Sequence, residues 1–162
     1  MSTPRISIRP AGSDELPLVL AFIRELAQYE HLEHQVLASE ADLAAALGGP
    51  RPYAEVLFAC LDGQPAGFAL FFHNFSTFLG KPGIYLEDLF VRPAARGHGL
   101  GKALLAHLAR LALSRGCPRL DWAVLDWNTP SIGFYTSLGA QALREWNLYR
   151  LSGAALQELA AG

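Results

Sequence analysis

The stretch Arg96-Gly97-His98-Gly99-Leu100-Gly101 decides how the rest of the chain is read. Before it lies Ile84–Val91, an apolar run rich in β-branched and aromatic residues, which predicts a strand. After it, Leu100, Leu104, Leu108 and Leu111 fall on one stripe of a helix running from about Leu100 to Arg115. The glycines let successive backbone N–H groups converge without interference from a Cβ. At a helix start those donors have no partner inside the helix and carry the positive end of its dipole. A pyrophosphate is the natural guest. The spacing lacks the Lys-Ser/Thr ending of a P-loop and is not the G-x-G-x-x-G of a dinucleotide fold. Spacing alone therefore leaves the nucleotide open, and a plain glycine turn between strand and helix has the same pattern.

Working outward, Arg5–Arg9 alternates polar and apolar residues and ends at Pro10, as a half-buried strand does. From Asp14, the residues Leu16, Val19, Leu20, Ile23, Leu26 and Ala27 recur at helical spacing. A second helix starts at Ser39, with Asp42 completing a weak capping box, and stops at Gly48-Gly49-Pro50. Glu55–Leu61 and Ala66–His73 flank the turn signal Asp62-Gly63, which predicts an antiparallel hairpin. Downstream, Leu120–Leu125 reads as a strand. Thr129-Pro130 opens a helix with Thr129 as N-cap, Ile132, Tyr135 and Leu138 on one side, and Gly139 at its close. Short strands are expected around Ala142 and over Leu148–Leu151, and a last helix over Ala154–Ala160. The order is an α/β mixture with a central antiparallel hairpin and no regular βαβ repeat.

Composition sets the outer limits. The 162 residues suit one domain over positions 1–162, with no repeat, low-complexity tract or linker. A hydrophobic fraction of 51% against 17% charged residues demands a real core. The net charge of −2 argues against general nucleic-acid binding. Cys60 and Cys117 sit in apolar runs without metal-ligand spacing and read as small hydrophobes in a reducing compartment. The first residues do not resemble a signal peptide, and no apolar segment is long enough for a membrane span. The expected address is the cytoplasm, with no membrane partner.

With these blocks in view, Arg96-x-x-Gly99-x-Gly101 resembles the acetyl-CoA pyrophosphate loop of the GCN5-related N-acetyltransferases (GNAT). The blocks Tyr85–Val91, Ala123–Asn128, Phe134-Tyr135 and Leu138-Gly139-Ala140 agree with that family in the same order. Within it the chain is similar to the diamine branch (spermidine/spermine and thialysine acetyltransferases), and the similarity extends upstream to Glu25–Glu30 and Gln35-Val36. The resemblance implies an α+β fold of the GNAT type, a mixed and mostly antiparallel sheet flanked by helices. It implies acetyl-CoA as co-substrate, a small-molecule amine as acceptor, and a homodimer. It assigns cofactor contacts to Leu89, Phe90, Val91, Arg96, Gly97, His98, Gly99, Leu100, Gly101, Lys102, Asn128 and Ser131.

Chemistry gives the remaining residues their expected work. At a lysine-like pKa, neutral amine is about one part in a thousand at pH 7, a deficit of roughly 4–5 kcal/mol. Glu87 and Asp88 interrupt an apolar strand, and unpaired acids are costly there unless the site is polar or open. The resemblance places Glu87 at the amine-facing position, as general base through water, with structural ion pairing as the plainer role for both acids. Tyr135 matches the family's acid for the departing thiolate, and a phenol of ordinary pKa, about 10, holds its proton at pH 7. Its plainer role is core packing with Phe134. Asn128 has a helix-capping alternative. By resemblance Tyr29 and Glu30 contact the amine, since an aromatic face and a carboxylate both favour a cation, and Glu87 and Asp88 join them. His31 and His34 have helical spacing without a third ligand, so no metal is expected.

The diamine acetyltransferases carry an acidic, glycine-containing insert after the Gly-Ala that closes the last catalytic helix. Here Gly139–Trp146 is shorter and contains Arg144. A weaker negative field disfavours spermine and favours a smaller amine or a thialysine-like side chain. Two other classes remain: a peptide or protein N-acetyltransferase of the same fold, and a non-catalytic acyl-CoA-binding module.

Overall fold

The structure, a computed structural model, describes residues 3–162. The chain forms two compact units, one running to Ala123 and the other from Val124 to Gly162. The first contains the strands β1 (Ile6–Pro10), β2 (Glu55–Leu61), β3 (Gln64–Ser76), β4 (Lys81–Val91) and β5 (Leu120–Trp122), with the helices α1 (Leu16–Tyr29), α2 (Glu40–Leu47) and α3 (Leu100–Ser114). The strands form one sheet in the order β1-β2-β3-β4-β5. All neighbours are antiparallel except β4 and β5, which run parallel. This is the mixed, mostly antiparallel sheet flanked by helices that was expected.

Local chemistry explains most boundaries. Asp62 and Gly63 both adopt positive φ, 50° and 82°, as a tight two-residue hairpin turn requires. Ser39 and Asp42 form the full capping box: the Ser39 Oγ accepts from the Asp42 N–H, and the Asp42 carboxylate accepts from the Ser39 N–H. The sheet buries two faces. Val56, Phe58, Cys60, Phe68 and Phe90 meet Val19, Phe22 and Leu26 of α1 and Leu43 of α2. Phe22 stacks on Phe68 with ring centroids 5.3 Å apart. The alternate positions face α3, whose Leu100, Leu104 and Leu108 are fully buried. Each such side chain contributes roughly 1.5–3 kcal/mol on burial.

The second unit contains α4 (Thr129–Ser137) and α5 (Gly153–Ala161). Three expectations need correction. The fifth strand ends at Trp122 rather than Leu125, because its ladder with β4 stops at Leu86, where β4 bulges. The N-cap of α4 is Asn128 rather than Thr129: the Asn128 Oδ1 accepts from the Ser131 N–H, and Thr129 lies inside the first turn. No strand forms around Ala142 or over Leu148–Leu151, since among the described residues no strand edge pairs with either segment. No helix among the described residues is long and apolar enough to cross a membrane.

Candidate active site

The first unit opens a backbone edge beside the glycine loop. In the β3–β4 ladder Leu70 stands opposite Asp88, whereas the next residue, Phe71, stands opposite Leu86. Glu87 is therefore the extra residue of a β-bulge. Parallel pairing of β4 with β5 covers only Ile84–Leu86. Past the bulge, β4 keeps β3 on one side and loses β5 on the other. Arg92 donates its N–H to the Ala66 carbonyl on β3 at 2.8 Å. Backbone groups alternate sides along a strand, so Leu89 and Val91 turn theirs to the side where β5 no longer pairs. The resemblance assigns cofactor contacts to both residues. Phe90 sits differently: its side chain belongs to the core cluster, and its backbone faces β3.

The edge leads directly to the loop. Gly97 and Gly99 have φ of 82° and 88°, the left-handed region that disfavours any side chain. Gly99 is the N-cap of α3 and has no side chain with which to cap that helix end. The N–H groups of its first turn are thus open to an anion. Leu100 is buried, so only its backbone faces the loop. His98 and Lys102 are exposed, with the His98 Nδ1 3.2 Å from the Ala95 carbonyl. The Arg96 guanidinium turns away from the helix start. Its Nε donates to the Val91 carbonyl at 3.0 Å, and its carbon lies 5.1 Å from the Tyr29 ring centroid and 5.7 Å from that of Phe90.

Acids gather at the same part of this unit. Glu87 is exposed on the bulge and Asp88 is half-buried. Burial pushes the Asp88 carboxyl up to about 7, with the charges of Glu87 and Glu30 adding to it. Burial also raises the pKa of Glu30, which ends α1 beside Tyr29. Burial, with Glu87 and Asp121 behind it, raises that of the Tyr85 phenol. Such a patch attracts a cation and can take a proton near neutrality. The structure thus brings Tyr29, Glu30, Asp88, Leu89, Val91 and the 96–101 loop into one unit, and the bulge at Glu87 is a feature that residue types alone did not reveal.

Within the second unit, Tyr135 lies on α4 with its ring 5.6 Å from that of Phe134. Asn128 and Ser131 meet at the start of the same helix through the capping bond. Family comparison settles what this set of elements belongs to. The model of the Acetyltransferase (GNAT) family matches residues 20–140. This chain is a GNAT acetyltransferase. It is 40% identical to a thialysine N-epsilon-acetyltransferase of Bos taurus over 168 residues, which cover 96% of the chain and 97% of the relative. It is 33% identical to the L-ornithine N5-acetyltransferase NATA1 of Arabidopsis thaliana, with 94% and 86% covered. Among solved structures, an integron cassette protein from the mobile metagenome of V. cholerae superposes on the acetyltransferase with a TM-score of 0.80, at 33% identity and with 97% and 98% covered.

Proposed function

We propose that this acetyltransferase moves the acetyl group of acetyl-CoA onto a primary amine of a small molecule, a diamine, polyamine or thialysine-like amino acid. The observation that carries the reading is the backbone edge of β4 that β5 leaves unpaired, at Leu89 and at the Val91 N–H, which leads to the N-terminus of α3 at Gly99. An extended thioester arm fits the edge, and a pyrophosphate fits the helix start. The acids Glu30, Glu87 and Asp88 supply a field for an ammonium group. Thialysine and ornithine are the acceptors named for the relatives above, and both are amino acids with a side-chain amine.

The amine nitrogen attacks the thioester carbonyl directly, a C–N bond forms, and the C–S bond breaks. The ammonium loses one proton to Glu87 through water, Tyr135 protonates the departing CoA thiolate, and the second proton shed by the new amide nitrogen returns through water to the Tyr135 phenolate. Cys60 and Cys117 are each only 1% exposed, which supports a ternary complex over an acyl-cysteine intermediate. The two units act as one catalytic domain, in a cytoplasmic enzyme that works as a homodimer. Leu148 is 83% and Tyr149 90% exposed within the single chain, an apolar surface of the kind that a second copy covers.

Acetyl-CoA-dependent thiol release tests this with spermidine, putrescine, thialysine, lysine and an N-terminal peptide as acceptors. Turnover with one small amine, reduced in Tyr135→Phe, is the expected result. Preference for the peptide would move the enzyme to protein acetylation. Tight acetyl-CoA binding without any transfer would leave an acyl-CoA-binding module.

A further inference from the structure

Two arginines four residues apart, Arg92 and Arg96, connect the end of β4 with the start of α3, and both side chains turn onto α1. Arg92 grips Glu25 with two nitrogens: Nε lies 3.0 Å from Oε2 and Nη2 lies 2.8 Å from Oε1. Its guanidinium also lies 4.5 Å over the Phe22 ring. Arg96 lies over Tyr29 and holds the Val91 carbonyl of the open edge. On α1, Phe22, Glu25 and Tyr29 occupy positions i, i+3 and i+7, one stripe of the helix. The loop that reaches the helix start of α3 is therefore fastened, at two successive points, to the helix that ends in Tyr29 and Glu30.

We propose that the Arg92–Glu25 pair is a positioning pair, which sets the Tyr29–Glu30 end of α1 against β4 and the 96–101 loop and so governs amine affinity. This rests on the proposed function, in which Tyr29 and Glu30 face the amine. Two features favour such a role over simple attachment. The pair is about one-third exposed, where an isolated ion pair adds little stability, yet its bidentate geometry and the ring beneath it fix direction. It also lies one turn of α1 before the amine-facing residues, while Arg96 ties Tyr29 to the edge itself. A small shift of that helix end would change the distance between Glu30 and Asp88 without touching the α3 start.

The test uses the full chain in steady-state kinetics and in CoA-binding calorimetry. The variants are Glu25→Gln, Arg92→Lys, and the exchange Glu25→Arg with Arg92→Glu. The expected result is a rise of about 5- to 20-fold in amine KM for Glu25→Gln and Arg92→Lys, on the scale of typical coupling between sites, with kcat and the CoA dissociation constant within twofold. The charge exchange should recover most of the loss. Amine KM unchanged within twofold, with only a lower Tm, would overturn the proposal and leave the pair as plain attachment. A rise in amine KM matched by an equal loss of CoA affinity would also overturn it. Failure of the functional reading looks different, because the wild-type chain would then acetylate no amine. In that case the amine dissociation constant of the CoA complex replaces KM, and no weakening in Glu25→Gln overturns the proposal.

Discussion

Glu30, at the end of α1, raises the proton affinity of Asp88 on β4, adding to the larger effects of burial and of Glu87. The two carboxyls come from elements 58 positions apart in sequence, and each is destabilised as an anion by its surroundings. In the proposed function an ammonium group set beside them relieves both at once.

The same shift makes stability depend on pH in a definite direction. Because the folded-state pKa of Asp88, about 7, lies above its ordinary value of 3.8, the folded chain binds the proton more tightly than the unfolded chain. Stability from this group is present at low pH and is lost as pH rises from about 4 to 7. Asp88→Asn removes that loss. Thermal denaturation should show the variant gaining more Tm at pH 8 than at pH 5; an equal gain at both would assign the effect to something other than this titration.

Kinetics separates the two neighbouring acids. Glu87→Gln should lower kcat by about 10²-fold, the smaller end of general acid–base effects, because in the proposed mechanism the proton reaches Glu87 through water. Asp88→Asn should instead raise amine KM and flatten the fall of kcat/KM below about pH 7, since its carboxyl titrates there. Profiles of kcat/KM against pH for both variants decide the assignment. A large kcat loss in Asp88→Asn, with Glu87→Gln near wild type, would exchange their roles.

Much of this site was legible because its signals are local. The glycine run, the capping box at Ser39 and the turn signal Asp62-Gly63 between β2 and β3 depend on residues close in sequence, and each stands where it was expected. The Glu87–Asp88 interruption of an apolar strand marked the place of the bulge without defining it, since a bulge depends on which β3 residues lie opposite. Asn128 and Thr129 are both good capping residues, so the cap of α4 was uncertain by one position. The Arg92–Glu25 pair spans 67 positions and leaves no periodic trace. The segments around Ala142 and Leu148 carry apolar side chains, but a strand exists only where an edge accepts it.

Gly99 carries a prediction that separates the loop from the acids. At φ of 88° an alanine is strained by about 1–2 kcal/mol, which either distorts the start of α3 or destabilises it. Gly99→Ala should weaken acetyl-CoA binding by roughly tenfold, measured by calorimetry, with amine KM at saturating acetyl-CoA within about twofold. Unchanged acetyl-CoA affinity would mean that the helix start does not hold the pyrophosphate.

The second unit yields a prediction about assembly. Trp146, Leu148 and Tyr149 are 74%, 83% and 90% exposed within one chain, three large side chains within four positions. Left in water they forgo roughly 1.5–3 kcal/mol each relative to burial. Light scattering should therefore give a mass of twice 17.6 kDa for the wild-type chain. Replacing Leu148 and Tyr149 with lysine places two charges in that surface and should give the single-chain mass, because burying unpaired charge is costly. Neither side chain is given a role in the first unit's acidic patch or glycine loop, so acetyl-CoA binding by the monomeric variant should persist. A wild-type mass of 17.6 kDa at micromolar concentration would remove the homodimer and leave these side chains for a different partner.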